Sequence, residues 1–456
     1  MLDVLPIVTP EQMRAIDATA PVPEAVLIAR AGAAVGRTAL RMLGGGYGRR
    51  VVVLAGTGNN GADGRIAGTW LARRGVRVEV IEVAAAPPVL PSCDLVVDAA
   101  FGTGFRGSWD APALVPGARV LAVDIPSGVD GLTGEVRGRV LTAERTVCLV
   151  ALKPGLVLPP GSSSTGPIEI VDIGLPAAGA RMHLVQRSDV LAWVPERSVD
   201  HNKWRSAVWA IAGSGGMIGA AHLVGRAAQR AGAGMVRLSS PGVAADPTAP
   251  EEAVRHPLGV PFWAAEALGQ VERFHSVVVG PGLGRAEGTV TSIREFVAKA
   301  PVPLVVDADA LFALAWGTDG ALSILRQRPA PTVLTPHDGE FALLRGGRIG
   351  TDRVEAVRDF AVASGCVVLL KGPSTLVADP GGHVAVVTTG DQRLATAGTG
   401  DVLAGIIGAF LAQRVPATPA AAAGAWVHGS AARLGPLRGF VAGDLADLIP
   451  EVWAET

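Results

Sequence analysis

The sequence predicts a two-domain α/β protein built on mainly parallel sheets. Short β-branched runs such as Val51-Val52-Val53-Leu54 and Val367-Val368-Leu369-Leu370 recur in both halves, with the length and apolarity of strands buried on both faces. Helical patterns alternate with them, and nearly every run ends in a glycine- or acid-bearing loop. At 456 residues the chain exceeds a single domain.

Composition narrows the function classes. Hydrophobic residues make up 49% and charged residues 18%, a globular balance with ample core. A net charge of −1 and a single tyrosine leave neither an electrostatic footprint nor stacking platforms for nucleic acid. The apolar runs are short and broken, so no membrane span is expected. Residues 1–6 carry no basic, apolar leader pattern. Cys93, Cys148 and Cys366 lie far apart in apolar runs and read as buried thiols of a reducing, cytoplasmic compartment.

In the first half, Thr9-Pro10-Glu11 opens a helix as cap, proline and early acid, and a second helix covers 24–43. A strand over 49–55 runs into Gly56-Thr57-Gly58-Asn59-Asn60-Gly61-Ala62-Asp63-Gly64, followed by a helix over 65–74 and a strand over 76–83. Such a β–loop–α–β unit with a glycine-rich first turn predicts a Rossmann-like three-layer domain with phosphate at a helix N-terminus. Asn59 and Asn60 depart from the dinucleotide fingerprint: they suit a ligand of mixed donors and acceptors or a monovalent cation, or serve turn chemistry alone. Strands over 94–100 and 119–123 end in loops carrying Asp98 and Asp124 with Ser127, so oxygen ligands gather at one sheet edge. That convergence makes a cation site plausible and leaves one acid for proton chemistry.

These loops resemble the NAD(P)H-hydrate epimerase domain over residues 9–190. The carriers are Asn59-Asn60-Gly61-Ala62-Asp63-Gly64, Asp98 with Phe101-Gly102-Thr103-Gly104-Phe105-Arg106-Gly107, and Asp124-Ile125-Pro126-Ser127-Gly128-Val129-Asp130. The resemblance implies interconversion of the R and S hydrates of NADH and NADPH. It implies that Asn59, Asn60, Gly61, Ala62, Asp63, Gly102, Thr103, Gly104, Phe105, Arg106, Gly107, Ser108 and Asp124 hold the hydrate. Potassium would sit on Asn60, Asp98 and Ser127, with Asp124 as acid/base. Two positions depart from the family pattern, Ala62 where a second glycine is usual and Ala29 where an acid is usual.

A loop over 159–167 and a strand over 168–172 close the first domain, and 186–204 reads as a linker. The boundary is placed between residues 192 and 193, inside a 190–198 window.

In the second half a strand over 207–212 leads to Gly213-Ser214-Gly215-Gly216 and an alanine-rich helix. Further strands end in Gly280-Pro281-Gly282-Leu283-Gly284, Asp307-Ala308-Asp309, Thr335-Pro336-His337-Asp338-Gly339-Glu340 and Lys371-Gly372-Pro373-Ser374-Thr375. Near the C-terminus, Thr396-Ala397-Gly398-Thr399-Gly400-Asp401 opens an apolar helix whose free amides and dipole suit phosphate. Asp401 there is either an N-cap or a base.

This second series resembles the ADP-dependent NAD(P)H-hydrate dehydratases, a branch of the ribokinase-like fold, over about 200–450. The resemblance implies phosphorylation of the S hydrate at its C6 hydroxyl, loss of phosphate, and conversion of ADP to AMP. It implies Asp401 as catalytic base, with Ala220, Gly284, His337 and Asp401 around the hydrate. Lys371, Gly372, Pro373, Ser374, Thr375 and Gly400 would hold ADP, magnesium would accompany the phosphates, and the assembly would be homo-oligomeric. His337 also fits simple turn chemistry, and His428 reads as a packed helix residue. Two alternatives stay open: a ribokinase-like small-molecule kinase with an accessory nucleotide-binding domain, and a non-enzymatic nucleotide-binding scaffold.

Overall fold

A computed structural model describes residues 5–177, 179–244, 246–317 and 320–454; the reading of the N-terminus as leaderless falls partly outside them. The chain forms two compact units, Leu5–His183 and a second that begins at Leu184.

In the N-terminal unit, β1 (Arg50–Ala55), β2 (Arg77–Glu82), β3 (Leu95–Ala99), β4 (Arg119–Val123), β5 (Arg145–Leu149) and β6 (Ile168–Val171) pair in the order β2-β1-β3-β4-β5-β6. Every pairing is parallel. Strand order reverses between β1 and β3, and the crevice outside those strand ends is where such sheets bind ligands. Helices α1 (Pro10–Ala18), α2 (Glu24–Leu43) and α3 (Asn59–Ala72) pack on the sheet, with Val35, Ala39, Leu71, Val53 and Val97 in one shared core. Thr9 caps α1 in a reciprocal capping box with Gln12.

α3 begins at Asn59, six residues before the expected start. Gly58 caps it, so Asn59, Asn60 and Asp63 stand on its first turns rather than in a loop. The 186–204 segment also departs from expectation. It holds α4 (Arg187–Trp193), whose Val190 is fully buried in the core of the second unit; apolar anchoring makes this stretch part of that unit instead of a free linker. Cys148 and Cys366 are buried free thiols, as expected, whereas Cys93 is half-buried.

In the C-terminal unit, β7 (Ala207–Ile211), β8 (Met235–Ser239), β9 (Val254–Arg255), β10 (Ser276–Val279), β11 (Leu304–Val306), β12 (Thr332–Leu334), β13 (Val367–Leu370), β14 (Thr375–Ala378) and β15 (Val384–Val387) pair in the order β15-β14-β13-β12-β11-β10-β7-β8-β9. β14 and β15 extend β13 into an antiparallel meander that the sequence reading did not include, and Thr375 is the first residue of β14. The other pairings are parallel. Here order reverses between β7 and β10. Helices α5 (Ile218–Arg230), α6 (Asp309–Ala315), α7 (Asp338–Arg345), α8 (Thr399–Ala412) and α9 (Ala417–Leu434) complete the parts that position the site. α8 is apolar around its whole circumference and buried from Val402 to Ala412, as an all-round hydrophobic helix must be. A methyl group on Gly405 would lie 2.4 Å from the Val224 carbonyl oxygen, so this glycine sets how closely α8 approaches α5. Ala420–Ala423 of α9 are buried within the same core. Among the described residues no helix is long and apolar enough to cross a membrane.

Candidate active sites

At the β1/β3 reversal of the N-terminal unit lies a cavity of ≈ 660 Å³. Asn59, Asn60, Asp63, the Gly102–Phe105 loop and Asp124 line it, while Gly61, Ala62, Arg106, Gly107 and Ser108 do not. Asp124 directly follows β4 at φ +67, a conformation that costs a non-glycine residue about 1–3 kcal/mol. Its surroundings hold it there. Oδ2 accepts from the Thr103 amide at 3.1 Å and the Thr103 hydroxyl at 2.6 Å, and Oδ1 is ion-paired with Lys153. Lys153, 1% exposed, also donates to the Leu149 carbonyl at 2.8 Å. Burial works to raise the Asp124 pKa, but the Lys153 charge and the Thr103 bonds outweigh it and hold the carboxyl below its ordinary value. Asp63 behaves oppositely: burial, reinforced by the charge of Asp124, pushes it up to about 8.

Asp98 and Ser127 meet beneath this cavity. The Ser127 amide donates to Asp98 Oδ2 at 2.9 Å, and Ser127 Oγ accepts from the Phe101 amide at 2.9 Å. Asp98 is fully buried without a cationic partner among the described residues, and burial raises its pKa. The Asn60 amide nitrogen is buried and unpartnered. The Cβ position of Gly102 lies 3.4 Å from Asn60 Cβ and 3.3 Å from Asp124 Oδ2, which ties Asn60 to the Asp124 cluster.

In the C-terminal unit the loops after β7 and β10 meet: the Gly213 amide donates to the Pro281 carbonyl at 2.7 Å, and Ser214 Oγ to the Gly282 carbonyl at 2.8 Å. Ala220, on the first turn of α5, and Gly284, in the loop after β10, are thereby brought close; the Cβ position of Gly282 lies 2.9 Å from Ala220 Cβ. Gly280 is held at φ +128 with Asp307 O 1.9 Å from where a Cβ would sit, room that only glycine leaves. After β11, Ala308 at φ +52 turns the chain between two acids. Asp309 accepts from the Gly284 amide and Arg285 Nε, each at 2.9 Å, and Asp307 accepts from Lys371 Nζ at 2.7 Å. The Cβ position of Gly400 lies 3.3 Å from Lys371 Nζ and 3.8 Å from Asp307 Oδ2. Gly398 caps α8 at φ +90, and the Gly400 and Asp401 amides take no partner among the described residues. Burial, then the charges of Asp307 and Asp309 against Lys371, brings the Asp401 pKa up to about 7.

His337 caps α7, its Nδ1 accepting from the Gly339 and Glu340 amides at 3.0 and 3.3 Å. This is the turn chemistry the sequence allowed. Glu340 is raised by burial and by Asp307, over the opposing pull of Lys371. Gly372 lies against Arg353, which donates to the Lys371 carbonyl at 3.2 Å and pairs with Asp338 at 2.6 Å. His428 is packed as expected: its Nε2 sits 2.8 Å from the Thr399 carbonyl, and burial lowers its pKa to about 4. The sequence reading gave no roles to Lys153, Asp307 or Glu340. Their signal was present only as the strand-end loops that carry Asp307 and Glu340.

An anion-seeking helix mouth with a lysine and several acids at a parallel-sheet edge defines a ribokinase-like phosphoryl-transfer unit, here in one chain with a Rossmann-like unit holding an acid-lined cavity. The fold agrees with a ribokinase-like superfamily protein from Enterococcus faecalis at a TM-score of 0.54 and 22% identity, over 60% of this chain and 96% of that one. The ADP/ATP-dependent NAD(P)H-hydrate dehydratase from Bacillus subtilis, co-crystallized with ATP/Mg2+, aligns at a TM-score of 0.50 and 30% identity, covering 58% of this chain and 95% of that one. Residues 208–452 match the family described as NAD(P)H-hydrate dehydratase, and residues 24–90 and 81–155 that described as YjeF-related protein N-terminus. The bifunctional NAD(P)H-hydrate repair enzyme Nnr of Moorella thermoacetica is 36% identical, over 94% of this chain and 92% of its own. The chain belongs to the family of bifunctional NAD(P)H-hydrate repair enzymes.

Proposed function

We propose that this chain repairs hydrated nicotinamide cofactors: its N-terminal unit interconverts the R and S hydrates, and its C-terminal unit dehydrates the S hydrate at the expense of ADP. The observation that carries this reading is Asp401 at the mouth of α8, beside open amides and Lys371, with its carboxyl near neutrality. As a carboxylate it takes the proton of the C6 hydroxyl while the Gly400 and Asp401 amides and Lys371 steady the transferring phosphoryl group. Phosphate is then a far better leaving group than hydroxide, and the ring nitrogen expels it. Lys371, Gly372, Pro373, Ser374, Thr375 and Gly400 hold the nucleotide, and Ala220, Gly284, His337 and Asp401 the hydrate.

Magnesium fits this set. Among the described residues no three His, Cys, Asp or Glu side chains are grouped to cage a metal, yet magnesium on a nucleotide needs only one or two carboxylates beside the phosphates. Asp307 and Glu340, near enough for the Asp307 charge to act on Glu340, would supply those, and the ion would neutralise phosphate charge. Potassium fits the N-terminal unit, where Asp98 is buried without a counter-charge among the described residues and Ser127 lies against it; Asp98, Ser127 and the side-chain carbonyl of Asn60 would hold it. Asp124 is the acid/base at the epimerised carbon. Homo-oligomeric assembly and a cytoplasmic setting, in keeping with three free thiols, belong to the same reading.

Purified protein mixed with NADHX, ADP and magnesium tests it: absorbance returns in the reduced-nicotinamide band with release of AMP and phosphate. A chain that only phosphorylates an unrelated metabolite would be a small-molecule kinase.

A further inference from the structure

Asp63 has so far only a place beside the ligand. It stands on the second turn of α3, 5% exposed, and lines the same cavity as Asp124. Its carboxyl has no hydrogen-bond or ion-pair partner among the described residues and is open to the cavity. Asp124 is its opposite, engaged by Lys153 and twice by Thr103. One cavity therefore contains a bonded, ion-paired carboxylate and a bare carboxyl. The other charged groups facing it are Arg14 and Asp17 from α1, Glu24 from α2, and Lys153. Burial and the Asp124 charge keep Asp63 protonated up to about pH 8, whereas Asp124 stays ionised. Two acids whose environments drive them apart divide into proton donor and proton acceptor.

We propose that Asp63 is a second catalytic group of the epimerase site, donating a proton to the departing hydroxyl of the hydrate while Asp124 accepts one from the water that replaces it. The proposal rests on the epimerase reading above. The C6–O bond breaks as the ring-nitrogen lone pair forms a C=N bond, and oxygen leaves as water with the Asp63 proton. Water then forms a new C6–O bond on the other ring face, the C=N electrons return to nitrogen, and the released proton goes to Asp124. The pair carries one proton before and after exchange and none while the C=N cation exists; that proton returns from Asp124 to Asp63 through cavity water. In the reverse direction the two groups exchange roles. No oxidant or reductant enters.

The test uses the full chain, separated R and S NADHX, and water enriched in oxygen-18. Wild type is expected to place one solvent oxygen on C6 per exchange. Asp63→Asn should lower kcat for exchange by about 10²–10⁴-fold with KM little changed and remove the limb near pH 8, and Asp63→Glu should restore part of the rate. Near-UV circular dichroism checks that each variant is folded. A folded Asp63→Asn chain within about threefold of wild type overturns the proposal, as does exchange without label. A wild-type chain that leaves the isomers unchanged sinks the epimerase reading itself.

Discussion

Lys371 Nζ lies 2.7 Å from Asp307 Oδ1, across 64 residues of sequence, and the pair sits where α8 begins. Asp307 is 2% exposed and Lys371 is partly open. The acid thus fixes the lysine at the helix mouth while leaving its charge available to a phosphate. Lys371→Met is expected to raise the KM for ADP and slow dehydration, because a buried Asp307 loses its counter-charge as the phosphates lose theirs; steady-state kinetics with varied ADP check it.

Asp401 must be ionised to take a hydroxyl proton. Its carboxyl titrates at about 7. The kcat/KM for dehydration should therefore rise with pH through about 7 and level off above it. A pH profile that is flat from 5 to 9 would remove Asp401 from the base role.

Stability carries the same signature with the opposite sign. Asp63 and Asp401 have folded-state pKa values of about 8 and about 7, above the ordinary 3.8. Their stabilising contribution is full below pH 3.8 and is lost as pH rises through 7 and 8. The melting temperature of wild type should fall across that window relative to an Asp63→Asn, Asp401→Asn chain, whose own curve should be flatter.

Lys153 is 1% exposed and its charge is matched by Asp124. Lys153→Met leaves a buried carboxylate alone. The expected cost is about 3–5 kcal/mol in chemical denaturation of the N-terminal unit, with the Asp124 limb of the exchange profile moved to higher pH.

Gly405→Ala tests packing remote from chemistry. The added methyl would press on the Val224 carbonyl at 2.4 Å, for an expected loss of about 1–3 kcal/mol. Gly405 lies one turn beyond Asp401 in α8, so dehydration should weaken more than exchange.

Much of this architecture was legible in the sequence because strand periodicity and glycine-rich strand ends are local signals. α2 and β4 fall where the patterns place them, at 24–43 and 119–123. Asn59 to Gly64 misled because glycine and asparagine favour turns, whereas the cap at Gly58 and packing against α2 extend the helix over them. The β14–β15 hairpin was missed because its first residue, Thr375, was read as the end of the Lys371–Thr375 loop. Site pairs such as Lys153 with Asp124, or Lys371 with Asp307, were out of reach: nothing in sequence spacing reports a contact 29 or 64 residues away. Neither could burial of an unpaired Asp63 be read before the cavity was seen.

The central claim is that one chain holds two chemically separate sites, with Asp124 serving exchange and Asp401 serving dehydration. The most direct measurement follows the initial rate of NADH formation from pure R-NADHX with ADP and magnesium. It compares Asp124→Ala protein, Asp401→Ala protein, and an equimolar mixture of the two. Each variant alone is expected to form almost no NADH, and the mixture to recover it. A mixture as inactive as its components, with both proteins folded, would contradict the account.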